Sequence, residues 1–169
     1  TARFTGPKTL EVVDGAGEAT HRLEADQIFL NVGARAFIPP IDGLDDVDYL
    51  THASILELDH APEHLIVLGG GFIGLEFGQM FRRFGSEVTI VEAGSRIAGR
   101  EDADVSEALT EILEEDGIAV RTGARAVRAS QLETGVVELV LETGGGDGGE
   151  ETVVGSALLV AVGRRPNTD

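Results

Sequence analysis

Short apolar runs separated by turn residues recur along the chain, a pattern typical of strands that are buried on both faces. The clearest run, residues 65–68, contains four consecutive apolar residues and ends abruptly in glycine. Residues 87–92, Glu-Val-Thr-Ile-Val-Glu, predict a second strand. Between the two predicted strands, apolar residues at helical spacing predict a helix that ends at Gly85. Its predicted core face consists of Ile73, Phe77, Met80 or Phe81, and Phe84. This stretch is therefore a predicted β-α-β unit.

A second helix and a third strand are predicted after this unit. Acidic residues at 101–104 favour a helix start, Gly117 is expected to end the helix, and residues 118–121 predict the strand. Acidic residues at the C-terminal end of a helix oppose its dipole, so we interpret Glu114, Glu115 and Asp116 as solvated surface. The predicted core stripe of this helix is Val105, Ala108 or Leu109, Ile112 and Leu113.

Short strands without intervening helices are predicted in the rest of the chain. An antiparallel meander is expected from residues 124–129, 136–141 and 151–154, with the glycine run at 144–149 as a hairpin tip. Residues 158–162 predict a buried strand that Gly163 ends. Before the β-α-β unit, the pattern predicts strands at 8–13, 20–24 and 28–32, an extended linker at 39–43 and a short helix at 54–58.

The glycines at the start of the first helix have the spacing of a dinucleotide fingerprint. Gly69, Gly71 and Gly74 match G-x-G-x-x-G, in which the first glycine makes a tight turn, the second admits a pyrophosphate and the third packs helix on strand. The positive helix end then faces the anion. Glu92 lies about twenty residues further on, where an acid accepts hydrogen bonds from the adenosine ribose. The alternative is a purely structural β-α-β unit with a solvated Glu92.

Together these elements predict an α/β fold: a Rossmann-like parallel sheet flanked by helices, with an inserted three-stranded antiparallel meander. With 169 residues and 42% hydrophobic content, the chain can bury one core, with room for a small attachment.

Composition excludes several classes of function. The chain has no cysteine, so it has no disulfide, thiolate metal site or cysteine nucleophile, and its four histidines show no metal-ligand spacing. The formal net charge of −17 repels nucleic acids and anionic membranes, so we expect neither as a partner. No apolar run approaches membrane-spanning length and no signal-peptide pattern is present, so we expect a cytoplasmic protein.

One internal repeat bears on domain organisation. Residues 28–35 align without gaps on residues 158–165, and each copy follows a set of short strands. Two similar nucleotide-binding domains, the first without its front half, would produce this pattern, and chance similarity between two buried strands is the alternative. We expect the chain to be a piece of a longer protein.

Four segments resemble the flavin-dependent pyridine nucleotide-disulfide oxidoreductases, most closely mercuric reductases and dihydrolipoamide dehydrogenases. These segments are 28–43 with Pro39-Pro40, 69–77, 91–92 and 162–167. The resemblance implies a partial FAD-domain β segment and linker at 1–43 and an NAD(P)H-binding domain at 44–169. It also implies an FAD fingerprint and a Cys-x4-Cys pair before Thr1, and a second FAD stretch and a dimerisation domain with a catalytic histidine after Asp169. The piece alone is then not catalytic, its partner is the remainder of the flavoprotein chain, and the parent is expected to be a homodimer.

The same resemblance implies roles for individual residues. Pyrophosphate contacts fall on the glycine loop: Gly69, Gly70, Gly71, Phe72, Ile73 and Gly74. Glu92 would contact the ribose, Ala126 the adenine, and Val162 and Gly163 the carboxamide. Phe72 would also lie between nicotinamide and flavin, with Glu76 near the flavin N5 region. From its position alone, Glu76 could equally be an exposed helix residue.

The choice between cofactors turns on charge at the end of the second strand. A carboxylate accepts hydrogen bonds from both ribose hydroxyls and repels a 2′-phosphate, so Glu92 predicts a preference for NADH. Arg96 and Arg100 lie near enough in the sequence to offset the negative charge of Glu92. Two other functions remain open. One is an NADH oxidase or transhydrogenase without a redox cysteine pair, and the other is a non-catalytic nucleotide-sensing module.

Overall fold

The computed structural model describes residues 1–144 and 149–168 and divides the chain into two compact units. The first unit comprises Thr1–Gly33 and the C-terminal residues from Asn167, and the second comprises Ala34–Pro166. The hairpin tip predicted at 144–149 lies mostly outside the described residues. The assignment of residues 1–43 to a flavin-binding domain stays a prediction.

The first unit is a three-stranded antiparallel sheet in the order β1 (Ala2–Gly6), β2 (Thr9–Val13) and β3 (Ala19–Glu24). Asp14 Oδ1 accepts hydrogen bonds from the amides of Ala16 and Glu18, which closes the predicted turn between β2 and β3. The strand predicted at 28–32 is wrong, because these residues form no strand. Phe29 is 87% exposed, and no ladder among the described residues includes the segment, so its apolar side chains lack a surface on which to be buried.

The second unit is built on a parallel sheet of four strands in the order β11 (Ala157–Val160), β5 (His64–Leu68), β6 (Glu87–Val91) and β7 (Ala119–Arg121). Two helices, α1 (Phe72–Arg83) and α2 (Ala103–Glu115), connect β5 to β6 and β6 to β7. An antiparallel meander is inserted between β7 and β11, as the sequence predicts. Its strands are β8 (Ala124–Gln131), β9 (Val137–Thr143) and β10 (Glu150–Gly155).

Two cores cover the two faces of the parallel sheet. On one face, Val67 and Ile90 pack with Phe81 of α1 and other buried residues from both helices. On the other face, Ile66 and Leu158 pack against the inner side of the meander. Successive residues of β5 thus enter opposite cores, which explains why the strand is apolar throughout. This three-layer arrangement confirms the predicted α/β fold.

Each helix departs from its predicted core face at particular positions. Phe84, directly after α1, is 63% exposed and makes a T-shaped ring contact with Phe81. In α2, Val105, Ala108 and Ile112 are exposed, whereas Leu113 and Ser106 are buried. The predicted stripe is therefore correct at Leu113 and at Leu109, which packs against the same core, and wrong at the other positions. Ser106 was missed because a serine carries no apolar signal.

The C-terminal end of α2 is bound to α1 and is not merely solvated. Gln79 Nε2 donates to Asp116 Oδ2 at 2.9 Å, and Arg82 Nε donates to the Asp116 carbonyl at 2.8 Å. The guanidinium of Arg82 also donates to the Ser86 carbonyl, so it joins the ends of both helices. Glu114, Glu115 and Asp116 are all exposed, as the sequence predicts, and Asp116 in addition accepts hydrogen bonds from α1.

A two-stranded ribbon was not predicted from the sequence. Strand β4 (Ala34–Ala36) pairs antiparallel with β12 (Arg164–Pro166), so that Arg35 lies opposite Arg165, its equivalent in the internal repeat. The segment between β4 and β5 is largely extended and contains two 3-10 turns, at Leu44–Asp46 and Ser54–Glu57, the second of which replaces the predicted short helix.

We predict that Arg82→Met lowers the free energy of unfolding by about 2 kcal/mol, because two helix-end carbonyls lose their charged donor. Arg83→Met is the matched control. The Arg83 side chain is exposed and reaches Asp116 only at 3.8 Å, so its loss should cost less than about 0.5 kcal/mol. Urea denaturation of both variants measures the difference, and equal costs would contradict the role given to Arg82.

Candidate functional site

The site is formed where β5 ends and α1 begins. Gly69 has φ +112°, and a Cβ there would lie 2.6 Å from the Ala161 carbonyl oxygen. A Cβ on Gly74 would lie 2.0 Å from the Gly69 oxygen, so neither position accepts a side chain. A Cβ on Gly71, in contrast, would meet nothing within 4 Å. The outer glycines are required by the packing of the protein itself, whereas the middle one borders open space.

Main-chain donors face this space. No side chain caps α1, and the amides of Gly71, Phe72, Ile73 and Gly74 have no acceptor among the described residues. The first amide of the helix with an acceptor is that of Leu75, which donates to the Gly71 carbonyl at 3.0 Å. Free amides and the positive end of the helix dipole favour an anionic group at this position.

Glu92, at the end of β6, holds its carboxylate against the bend. Its Oε2 accepts a hydrogen bond from the Gly70 amide at 2.8 Å, and its Oε1 accepts one from the Gly94 amide at 2.6 Å. The residue is half-buried, so its position is well defined. Each oxygen retains a second lone pair for another donor.

The loop after Glu92 is also fastened to the bend, a feature that the sequence analysis missed. The Ala98 amide donates to the Gly70 carbonyl at 2.8 Å, and the fully buried Ile97 packs where a side chain on Gly70 would be. Ala98 is the one non-glycine residue with positive φ among those described. Arg96 donates to the carbonyls of Gly99 and Glu101, so its charge is used within the loop. No periodicity signals such contacts.

A cleft of about 900 Å³ opens beside the bend. It brings together eight of the predicted site residues: Gly69, Gly71, Phe72, Ile73, Glu92, Ala126, Val162 and Gly163. Gly70 and Gly74 are buried beneath the bend, and Glu76 is exposed on α1 outside the cleft lining. Arg100, which the sequence places near Glu92, also lines the cleft, and further wall residues that the sequence did not assign to the site are Ala98, Val105 and Leu109.

In the part of the chain that the structure describes, charged groups outside the cleft do not form a second site. Among the described residues, no three or more His, Cys, Asp or Glu side chains gather as a metal site requires. His60 donates a hydrogen bond to the Asp59 carboxylate, which lowers the pKa of that carboxyl, but both side chains are exposed and outside the cleft lining. Neither helix in residues 1–144 and 149–168 has the length and apolar character needed to cross a membrane.

A glycine bend that opens an uncapped helix beside an acidic strand end is the arrangement of the Rossmann-like α/β class. The model of one protein family, pyridine nucleotide-disulphide oxidoreductase, matches residues 1–169. The chain therefore belongs to that family.

Named relatives agree with this assignment. A mercuric reductase of Streptomyces lividans is 43% identical over 172 residues, covering 100% of this chain and 34% of that enzyme. The mitochondrial dihydrolipoyl dehydrogenase of Dictyostelium discoideum is 34% identical, covering 98% of this chain and 34% of that enzyme. Among solved structures, a copper(II) complex of a mutant of the HOCl-induced flavoprotein disulfide reductase RclA from Escherichia coli superimposes with a TM-score of 0.82 at 34% identity, covering 99% and 36% of the two chains. The chain thus spans about a third of the length of these relatives.

We predict that Glu92→Gln lowers the free energy of unfolding by about 1–3 kcal/mol, because one of two amides would face an NH₂ group in place of an acceptor. Glu76→Gln makes the same chemical change at an exposed position and should alter stability by less than about 0.5 kcal/mol. Thermal or urea denaturation measures both variants. If Glu92→Gln were as stable as Glu76→Gln, the two hydrogen bonds to Glu92 would not hold the bend.

Proposed function

We propose that this chain is the NAD(P)H-binding part of a flavin-dependent disulfide or mercuric ion reductase, and that it positions the nicotinamide for hydride transfer to FAD. One observation carries the proposal. The bend leaves open space at Gly71 and unpartnered amides at the start of α1, directly beside a carboxylate held by two hydrogen bonds. These free amides and this carboxylate suit the pyrophosphate and the adjoining ribose of a dinucleotide.

The residues present fit the dinucleotide in three places. The amides of residues 71–74 would hold the pyrophosphate, and the free lone pairs of Glu92 would accept the ribose hydroxyls. Ala126, on the meander, supports an adenine site because it lines the cleft with a small side chain. When bound, the nicotinamide supplies the hydride, and the protein contributes binding and orientation.

The nicotinamide end of the proposed site is less completely built from this chain. Phe72 lines the cleft with a side chain that is 69% exposed, so it is free to cover the ring, and Val162 and Gly163 lie in the wall for the carboxamide. Glu76 follows Phe72 by one helical turn on the exposed side of α1. Its proposed place near the nicotinamide and flavin rests on the family resemblance.

The rest of the proposal concerns the longer protein. FAD, a redox partner such as a disulfide or mercuric ion, a homodimeric assembly and a cytoplasmic location all belong to that parent. The names of the matched enzymes support the first two, because they include mercuric reductases and a flavoprotein disulfide reductase.

Gly71→Ala separates binding from folding. The added methyl group meets no protein atom within 4 Å, so stability should stay constant or rise by up to about 1 kcal/mol. The methyl group occupies the space proposed for the pyrophosphate, so NADH binding should weaken by at least roughly tenfold. Gly15→Ala, at an equally open glycine in the turn after β2, is the control. Fluorescence titration with NADH decides the matter, and undiminished binding by Gly71→Ala would refute the proposed pyrophosphate position.

Cofactor preference gives a second test. Glu92 carries a negative charge where a 2′-phosphate would lie, Arg96 is bound within its own loop, and Arg100 lines the cleft without a partner among the described residues. We expect NADH to bind at least roughly tenfold more tightly than NADPH, and Arg100→Gln to weaken NADPH more than NADH. Calorimetric titration with both cofactors measures this. Tighter binding of NADPH by the unaltered chain would contradict the preference.

A further inference from the structure

Ser106 is a buried polar residue that the proposed binding scheme does not use. It lies in the first turns of α2, is 2% exposed, and its Oγ donates a hydrogen bond to the Ile97 carbonyl at 2.8 Å. The same hydroxyl lies 3.5 Å from the Ala98 carbonyl, a much weaker contact. Ile97 is itself fully buried, so Ser106 satisfies a carbonyl that water does not reach.

The peptide group that accepts this bond also reaches the glycine bend. The carbonyl of Ile97 and the amide of Ala98 belong to one peptide unit, and that amide donates to the Gly70 carbonyl at 2.8 Å. In a trans peptide the C=O and the N–H point in opposite directions, so this single unit links α2 to the bend.

The next peptide unit in the series carries a proposed ligand donor. The carbonyl of Gly70 and the amide of Gly71 form one trans peptide, so the bond from Ala98 turns the Gly71 N–H away from the loop. That amide has no acceptor among the described residues, and Gly71 lines the cleft. Hydrogen bonds in such a series polarise one another, which makes the last donor stronger.

Ala98 has a backbone conformation that its own side chain disfavours. Its φ of +46° lies in the left-handed region, which a residue with a Cβ disfavours. The hydrogen bonds on either side of the 97–98 peptide, from Ser106 and to Gly70, oppose its relaxation. When the Ser106 hydroxyl is removed, only the hydrogen bond from the Ala98 amide to the Gly70 carbonyl holds this peptide.

We infer that Ser106 is a positioning residue for the dinucleotide site, because it orients and polarises the Gly71 amide through two successive peptide units. This inference rests on the proposed function and extends it to a residue that lies outside the cleft lining. A merely structural serine would affect stability and leave the Gly71 amide unchanged.

The test compares Ser106→Ala with Thr110→Val in the full 169-residue chain. Thr110 is the matched control, because its hydroxyl donates to the Ser106 carbonyl within α2 and does not bind the loop. Two quantities are measured: the Kd for NADH, and the chemical shift of the Gly71 amide proton in ¹⁵N-labelled protein without ligand. For Ser106→Ala we expect about twofold weaker NADH binding, because each hydrogen bond in a series strengthens the next by only about 10–30%, with upfield movement of the Ala98 and Gly71 amide protons. Thr110→Val should change neither quantity.

The outcomes separate this inference from the proposed function. If the unaltered chain binds no NADH, the proposed function is wrong and the cofactor role of Ser106 is wrong with it. If the unaltered chain binds NADH while Ser106→Ala binds equally well and leaves the Gly71 resonance in place, only the inference about Ser106 is overturned. Should Ser106→Ala fail to fold, Ser106→Cys retains a weak donor of similar size and should show a smaller loss in the same direction. Wild-type behaviour of Ser106→Cys in both measurements would then overturn the inference.

Discussion

The carboxylate of Glu92 joins the two loops that follow β5 and β6, and the geometry of the cleft depends on it. One oxygen accepts the Gly70 amide and the other accepts the Gly94 amide. Hydrogen bonds to a half-buried carboxylate are stronger than those between neutral groups, so this residue determines where the glycine bend lies. The Gly69 amide donates to the Val91 carbonyl and the Gly70 amide to Glu92, whereas the amides of the next four residues have no acceptor among the described residues.

The glycines of the bend then divide into two kinds. An added Cβ on Gly69, Gly70 or Gly74 would lie less than 3.0 Å from another protein atom, so their lack of a side chain serves the packing of β5, α1 and the loop after β6. Gly71 is the glycine of the fingerprint at which an added Cβ would meet no atom within 4 Å. The distinction separates the glycines required by packing from the glycine beside which we propose that the pyrophosphate binds, although the sequence motif treats them alike.

Much of the fold could be predicted from periodicity. The buried strands, α1 and the meander have patterns that depend on local sequence, and Glu92 has the spacing from the fingerprint that places it beside the bend. Three features depend on partners that a local pattern does not reveal. Residues 28–32 have a strand composition but form no strand, and α2 buries Ser106 while Val105 is exposed. The β4–β12 ribbon joins segments about 130 residues apart, and hydrophobicity gives no sign of such pairing. Of the site itself, Glu92 and the glycines were identified, whereas the contacts of Ile97, Ala98 and Ser106 were not.

The most direct test of the account is a crystal structure of the chain with NADH bound. Family membership and the open bend both lead to the same expectation, that the cofactor lies across the ends of β5 and β6. We expect pyrophosphate oxygens within hydrogen-bonding distance of the amides of residues 71–74 and a ribose hydroxyl bonded to Glu92. A structure in which the dinucleotide lies elsewhere, or in which those amides are turned away from it, would contradict the central claim.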